Sequence, residues 1–96
     1  MDDLRNFPDE ARRGAGFELR AVQNGLEPSD WKPMRAVGPG VREIRIHVLG
    51  EWRVVYVAKL KKAIYVLHAF QKKGRRTSRQ DIELARRRYK QIGGKS

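Results

Sequence analysis

The chain has 96 residues, of which 40% are hydrophobic and 34% charged, and it contains no cysteine. This length and apolar content favour a single folded domain over residues 1–96 and exclude a disordered chain, disulfides and thiolate metal sites. The acidic start "MDDLRNFPDE" is unlike a signal peptide, and no apolar run is long enough to cross a bilayer. We therefore expect a cytoplasmic protein with no membrane partner. Its net charge of +11 favours a polyanionic ligand such as nucleic acid.

The first quarter of the chain is predicted to be helical. Asp2 and Asp3 suit a helix start, and Pro8 suits the first turn of a second helix, because its missing N–H would be unpaired there. Apolar residues then recur at spacings of three or four and predict one buried stripe, made of Ala11, Ala15, Leu19, Val22 and Leu26. Gly25 is the predicted stop, and residues 27–40, with three prolines and two glycines, are predicted to be a loop.

Three strands are predicted next, at 41–49, 52–60 and 64–71. The short connections, Gly50–Glu51 and the charged "KLKKA", allow only antiparallel neighbours and therefore a meander. A last helix is predicted from Thr77 or Ser78, with Ser78 and Asp81 resembling a capping box. We expect an α+β fold with N-terminal helices, an antiparallel sheet of three strands or more, and a C-terminal helix.

Sites for metals and cofactors are not indicated. His47 and His68 fall on different strands without a close pair of carboxylates, and "GPG" before Val41 lacks the Lys-Ser/Thr of a phosphate-binding loop. What remains is a set of cations on strands. If Arg45 and Arg53 share a face, Lys72 and Lys73 could overhang it.

Such a pocket suits a phosphodiester, because guanidinium and ammonium groups stabilise the dianionic state formed when a neighbouring 2′-hydroxyl attacks. That reaction needs a general acid and base, which His, Tyr or a Lys of lowered pKa could supply, and no metal. Phe70 lies beside the two lysines and is either a core residue or a platform for an unpaired base. Arg75, Arg76 and Arg79 are expected to grip flanking phosphate or an acidic partner surface, whereas most of Arg86–Arg88 is expected to be solvated.

The ordered strings "FPDEARR", "GLEPSDWKPM", "GVREIRI", "WRVVYVAKL", "IYVLHAFQKK" and "SRQDIELARRRYK" resemble the phage-derived Gp49-like toxins, close relatives of HigB in the RelE superfamily. The resemblance implies a RelE-like fold and a type II toxin–antitoxin module. Such a toxin cuts messenger RNA in the ribosomal A site and is neutralised by a helix-turn-helix antitoxin. A homodimer and a toxin–antitoxin hetero-oligomer both remain open.

The resemblance also implies roles for single residues. Arg53 matches an active-site arginine, Lys72 and Lys73 match cations after the final strand, and Arg42 and Arg45 match a basic strand. His68 and Tyr89 are the candidates for proton transfer. The acidic and histidine cluster expected at the C-terminus of HigB-type enzymes is missing, so a HigB-style assignment of acid and base does not carry over. The family's first strand also has no counterpart before "DDLRNFP", so we expect the sheet to lack that edge. A degenerate toxin that only binds RNA or antitoxin is the alternative.

Overall fold

The computed structural model describes residues 3–59 and 63–93, and consists of one four-stranded sheet with a helix on each face. A 3₁₀-helix (Asp3–Asn6) precedes α1 (Asp9–Gln23). The strands are β1 (Trp31–Pro33), β2 (Val41–His47), β3 (Glu51–Lys59) and β4 (Ala63–Gln71), and α2 (Arg79–Gly93) follows them. The predicted α+β class with N-terminal helix, antiparallel sheet and C-terminal helix is confirmed.

All neighbouring strands are antiparallel, in the order β1-β2-β3-β4. β2 to β4 are the three predicted strands, each within two residues of its predicted ends. β1 was not predicted, since residues 27–40 had been assigned to a loop. Its three residues pair with Ile44, Glu43 and Arg42 of β2, so the strand exists through this pairing and not through its own pattern. The predicted "KLKKA" turn includes residues 60–62, which lie outside the described residues.

α1 is formed and ended by local signals. Pro8 was predicted in the first turn of this helix, but it is the residue before it. Its ring fixes φ at −56°, a value compatible with entry into the helix. Gly25 ends the helix as predicted: its φ is +82°, and the N–H groups of Gly25 and Leu26 bond to the carbonyls of Val22 and Ala21. This is the Schellman arrangement, which puts Leu26 outside the helix, where it is exposed.

Each face of the sheet has its own apolar core. On the α1 face, Ala11 and Ala15 pack on strand residues such as Ile44, Val54 and Tyr56. On the α2 face, Ala85 packs on a second set, made of Met34, Val37, Val41, Val55, Val57 and Leu67. The strand alternation therefore sends odd-numbered β2 and β3 residues toward α2.

α2 begins with the predicted capping interaction. The Ser78 hydroxyl accepts from the Asp81 N–H at 3.1 Å and donates to an Asp81 carboxylate oxygen at 2.6 Å. The prediction that most of Arg86–Arg88 is merely solvated is wrong for two of them. Arg86 Nε donates to the Ala36 carbonyl at 3.0 Å, and Arg88 donates to the Leu67 carbonyl at 2.8 Å. These bonds fasten the helix to the loop and to β4.

Candidate nucleic-acid interface

The α2 face of the sheet changes from apolar to charged along its length. Val41 lies opposite Val57, Glu43 opposite Val55, and Arg45 opposite Arg53. Phe70 of β4 is opposite Arg53 on its other side, so Arg45, Arg53 and Phe70 form one row across three strands. The condition set from the sequence is met, because Arg45 and Arg53 do share a face as direct neighbours.

Arg53 is fixed from within the protein. It is 5% exposed, and its guanidinium donates to Glu51 Oε1 at 3.2 Å and to its neighbour's carbonyl, Trp52 O, at 3.0 Å. Its Nε has no hydrogen-bond partner and lies 3.7 Å from Glu43 Oε1. A buried N–H without a partner is costly, and the nearby Glu43 carboxylate is what compensates the charge of this guanidinium.

Glu43 lies beneath the row and was not among the sequence candidates. Its side chain is fully buried, Oε2 accepts from the Thr77 hydroxyl at 2.8 Å, and Oε1 lies 3.7 Å from both Arg53 Nε and Lys32 Nζ. A carboxylate in this position compensates the surrounding cations and holds them together. The signal in the sequence was that Glu43 alternates with Val41 and Arg45 and therefore lies on the same face of β2.

Lys72 completes what we call the cation cluster, Arg45, Arg53 and Lys72. Its N–H bonds to Glu51 O at 2.7 Å, which extends the β3–β4 ladder and puts its side chain on the α2 face. Desolvation is the largest cause that lowers the pKa of Lys72 below its usual range. The positive charges of Arg53, Lys32 and Arg45 add to this, while Glu43 opposes it. Lys72 therefore lies among like charges that Glu43 offsets only in part.

A small cleft of about 200 Å³ opens beside the cluster. We call it the lysine cleft, and its lining includes Phe70, Lys72, Lys73, Arg76 and Asp81. The two lysines predicted to overhang the sheet are thus together at one opening. Three cations around one carboxylate suit a phosphodiester group and its proton acceptor.

His68 lies behind this cleft and is 7% exposed. Its Nε2 is 2.7 Å from Asp81 Oδ1, and its ring stacks on Phe70 with centroids 4.8 Å apart. The register of β3 and β4 shifts at this point, so that Val55 faces His68 and Tyr56 faces Val66. This bulge leaves Leu67 as the extra residue and brings His68 toward α2. Asp81, which sequence reasoning treated as a cap alone, thereby links the histidine to the cleft.

Tyr89 is not brought to this group. Its hydroxyl donates to the Pro39 carbonyl at 3.1 Å, and its ring covers Gly38 so closely that a Cβ there would lie 2.5 Å from it. Tyr89 is also eight residues beyond Asp81 on the same helix, roughly 12 Å along its axis. The contacts fit packing of the loop before β2, so the predicted proton-transfer role gains no geometric support.

The arginines predicted to bind flanking phosphate lie nearby. Arg75 and Arg76 line a second opening of about 400 Å³ with Lys32, Arg35 and Thr77, which we call the arginine cleft. Lys32 and Arg35 were missed, because they come from the segment predicted to be a loop. Arg79 is exposed at the start of α2.

Arg42 lies apart from Arg45, on the opposite face. Its guanidinium is 4.0 Å from the centroid of the Trp31 ring, and it pairs with Glu27 at 3.9 Å.

An ion-pair network surrounds the end of the β2–β3 hairpin. His47 lies between Asp30 and Glu51, with ring nitrogens 2.7 and 2.8 Å from their carboxylates. Both carboxylates raise the pKa of His47 above its ordinary value, and His47 in turn lowers the pKa of each. Asp30 also pairs with Arg45 at 3.7 Å, and Glu51 pairs with Arg53 at 3.2 Å. The network therefore borders the cation cluster and restrains two of its members.

In residues 3–59 and 63–93, no group of three or more His, Asp or Glu side chains is arranged to hold a metal. Nor is any helix in that part of the chain long and apolar enough to cross a membrane.

Comparison with known families decides the relationship. The model of the phage-derived Gp49-like protein family matches residues 2–90. The chain belongs to this family. The predicted membership of the Gp49-like family is thereby confirmed for almost the whole of this Gp49-like protein. A search of curated proteins found no match.

Proposed function

We propose that this Gp49-like protein is the toxin of a type II toxin–antitoxin pair and cuts messenger RNA on the ribosome. The observation that supports this most is the cation cluster: Arg45 and Arg53 are neighbours on one face, and Lys72 is within electrostatic reach of both. The lysine cleft beside them is of a size for one phosphodiester, and Phe70 lines it as a surface for a base.

The proposed reaction is an internal transesterification. The 2′-oxygen of one nucleotide attacks its own 3′-phosphorus, a new O2′–P bond forms, and the P–O5′ bond breaks. The 2′-hydroxyl proton goes to a general base and a second proton goes to the departing 5′-oxygen. The products are a 2′,3′-cyclic phosphate and a 5′-hydroxyl. Arg53, Arg45 and Lys72 would stabilise the extra negative charge on the phosphorane.

Two groups at the lysine cleft are suited to proton transfer. Asp81 lines the cleft and is held by Ser78 and His68, so it would accept a proton that His68 can share. Desolvation and neighbouring cations lower the pKa of Lys72, which makes its ammonium group a stronger acid toward the leaving 5′-oxygen. His68 retains its sequence-based assignment to proton transfer, but through Asp81.

The test is induction in cells followed by primer extension on translated transcripts. We expect growth arrest and new 5′ ends for the wild type, and loss of both for Lys72→Met and Arg53→Ala. Because Arg53 is buried, each variant is first checked for a cooperative thermal transition. Arg13→Ala, a charge removed from the exposed surface of α1, is the matched control and should stay toxic. If the wild type produces no new cleavage of translated transcripts, the proposed endonuclease activity is refuted.

One observation favours the binding-only alternative. Arg53 is already bonded to Glu51 and to the Trp52 carbonyl, and only 5% of it is exposed. A toxin homologue that only binds would not arrest growth when it is induced. It would still be retained by an immobilised partner protein encoded beside its gene. Growth without arrest, together with capture of a small helix-turn-helix protein that is lost on Lys72→Met, would favour this alternative.

A further inference from the structure

A third opening lies at the β1 edge of the sheet, and neither the family nor the proposed reaction assigns it a role. We call it the tryptophan cleft. It measures about 460 Å³ and is lined by Trp31, Arg35 and Arg42, by two prolines, and by the glycine-rich backbone before β2. Its volume lies in the range of small-ligand pockets. Its aromatic lining residue is the indole of Trp31, whereas the lysine cleft has the smaller ring of Phe70.

The three clefts adjoin one another. The lysine cleft and the arginine cleft share Arg76. The arginine cleft and the tryptophan cleft share Pro33 and Arg35. Shared lining residues therefore connect Lys72, past Arg76 and Arg35 and around the β1 edge of the sheet, to Trp31 and Arg42 on the opposite face, and cations border this path. Such a path follows the backbone of a flexible polyanion.

The end of the path has the chemistry of a base-binding site. The Arg42 guanidinium stacks 4.0 Å from the Trp31 ring centroid, and Glu27 holds it there. Arg42 covers one face of the Trp31 ring and keeps 37% of its own side chain exposed, so an unpaired base would stack on the guanidinium plane that the ring supports. A site for phosphate alone would not need the indole beneath the guanidinium.

We propose that Trp31 and Arg42 bind a base of single-stranded RNA several nucleotides away from the phosphate held at the lysine cleft. This rests on the proposed function, because it takes the same strand to occupy both ends of the path. The specificity of the protein then includes a position outside the reacting nucleotides. Phosphates between the two ends contact Arg76 and Arg35.

Binding of short RNAs tests this. Oligonucleotides of two and eight nucleotides, with 2′-methoxy groups so that they cannot be cleaved, are titrated with the full chain. Trp31→Ala should weaken the eight-mer about 5- to 150-fold, the range of one lost stacking contact, and leave the two-mer unchanged. Trp31→Phe should recover most of the loss. An eight-mer that lacks bases at the far positions should bind the wild type as weakly as the intact eight-mer binds Trp31→Ala.

The outcomes separate the two proposals. If Lys72→Met loses the eight-mer while Trp31→Ala binds it normally, the lysine cleft stands and the base site is refuted. If Trp31→Ala loses it while Lys72→Met binds normally, a base is bound at Trp31 but the strand does not reach the lysine cleft, and the proposed joint path is refuted, whereas cleavage itself is judged by the induction experiment. Equal affinity for the intact and the base-lacking eight-mer would mean that only backbone is recognised. The Trp31 fluorescence is the signal of the wild type minus that of Trp31→Phe. If hexaglutamate changes this signal as much as RNA does, an acidic protein partner is indicated instead.

Discussion

Glu43→Gln tests whether the buried carboxylate organises the cation cluster. Glu43 is fully buried, and its Oε1 lies 3.7 Å from both Arg53 and Lys32. Removing one member of a buried ion pair costs about 3–5 kcal/mol. Arg53 keeps its bond to Glu51 and Lys32 is 37% exposed to water, so part of that cost is avoided. We expect the free energy of unfolding to fall by about 2 kcal/mol and Tm by roughly 8–16 °C.

The assay is urea denaturation at neutral pH, with Glu83→Gln as the matched control. Glu83 is exposed on α2, so its substitution should change the free energy of unfolding by less than about 0.5 kcal/mol. In a double-mutant cycle, adding Arg53→Met should recover part of the loss, because the uncompensated guanidinium is removed with its partner. A loss under about 0.5 kcal/mol for Glu43→Gln, or simple additivity in the cycle, would refute the reasoning.

Three further predictions concern packing and charge. Gly38→Ala should destabilise the protein by about 1–3 kcal/mol, as overpacking does, because the added Cβ would lie 2.5 Å from the Tyr89 ring. Gly16→Ala adds a Cβ that has nothing within 4 Å, and it should stabilise α1 by about 0.5–1 kcal/mol. Thermal melts of the two variants test both expectations. His47 has a raised folded pKa, so its contribution is complete below its unfolded pKa of about 6.5 and is lost as pH rises through the folded value. The difference in free energy of unfolding between wild type and His47→Gln, measured by urea titrations across pH 5–9, should shrink as the pH rises. A difference that stays constant across this range would count against the reasoning. The lowered pKa of Lys72 should make it more reactive than other lysines toward an acylating reagent at pH 8, with inorganic phosphate slowing the reaction, as peptide mapping would reveal.

The neighbour relations within the hairpin were accessible from sequence. The short connection at Gly50 restricts β2 and β3 to a few registers, and alternation then decides which residues share a face. The shared face of Arg45 and Arg53, which was only a condition from the sequence, is what these two constraints produce. The same alternation puts Trp52 and Val54 in the core on the opposite face.

Other parts of the interface depend on contacts between distant segments. β1 contains a proline and has three residues, too few for a periodic signal, and only pairing with β2 makes it a strand. Its position brings Lys32 to Glu43 and Trp31 to Arg42. The contact between His68 and Asp81 likewise needs the bulge in β4 and the docking of α2 together.

The location of the interface follows from one gradient in the strands. Along the α2 side of β2, the side chains run Val41, Glu43, Arg45, His47, and β3 changes from apolar to charged in the same direction. On the apolar half of this face, α2 and the preceding loop pack on the strand valines. On the charged half, Glu43 and Arg53 are buried beside each other, whereas Arg45 and Lys72 remain partly exposed. Lys72 arrives there because β4 ends beside Glu51, so the pattern that builds the second core also gathers the cations that we propose bind a polyanion.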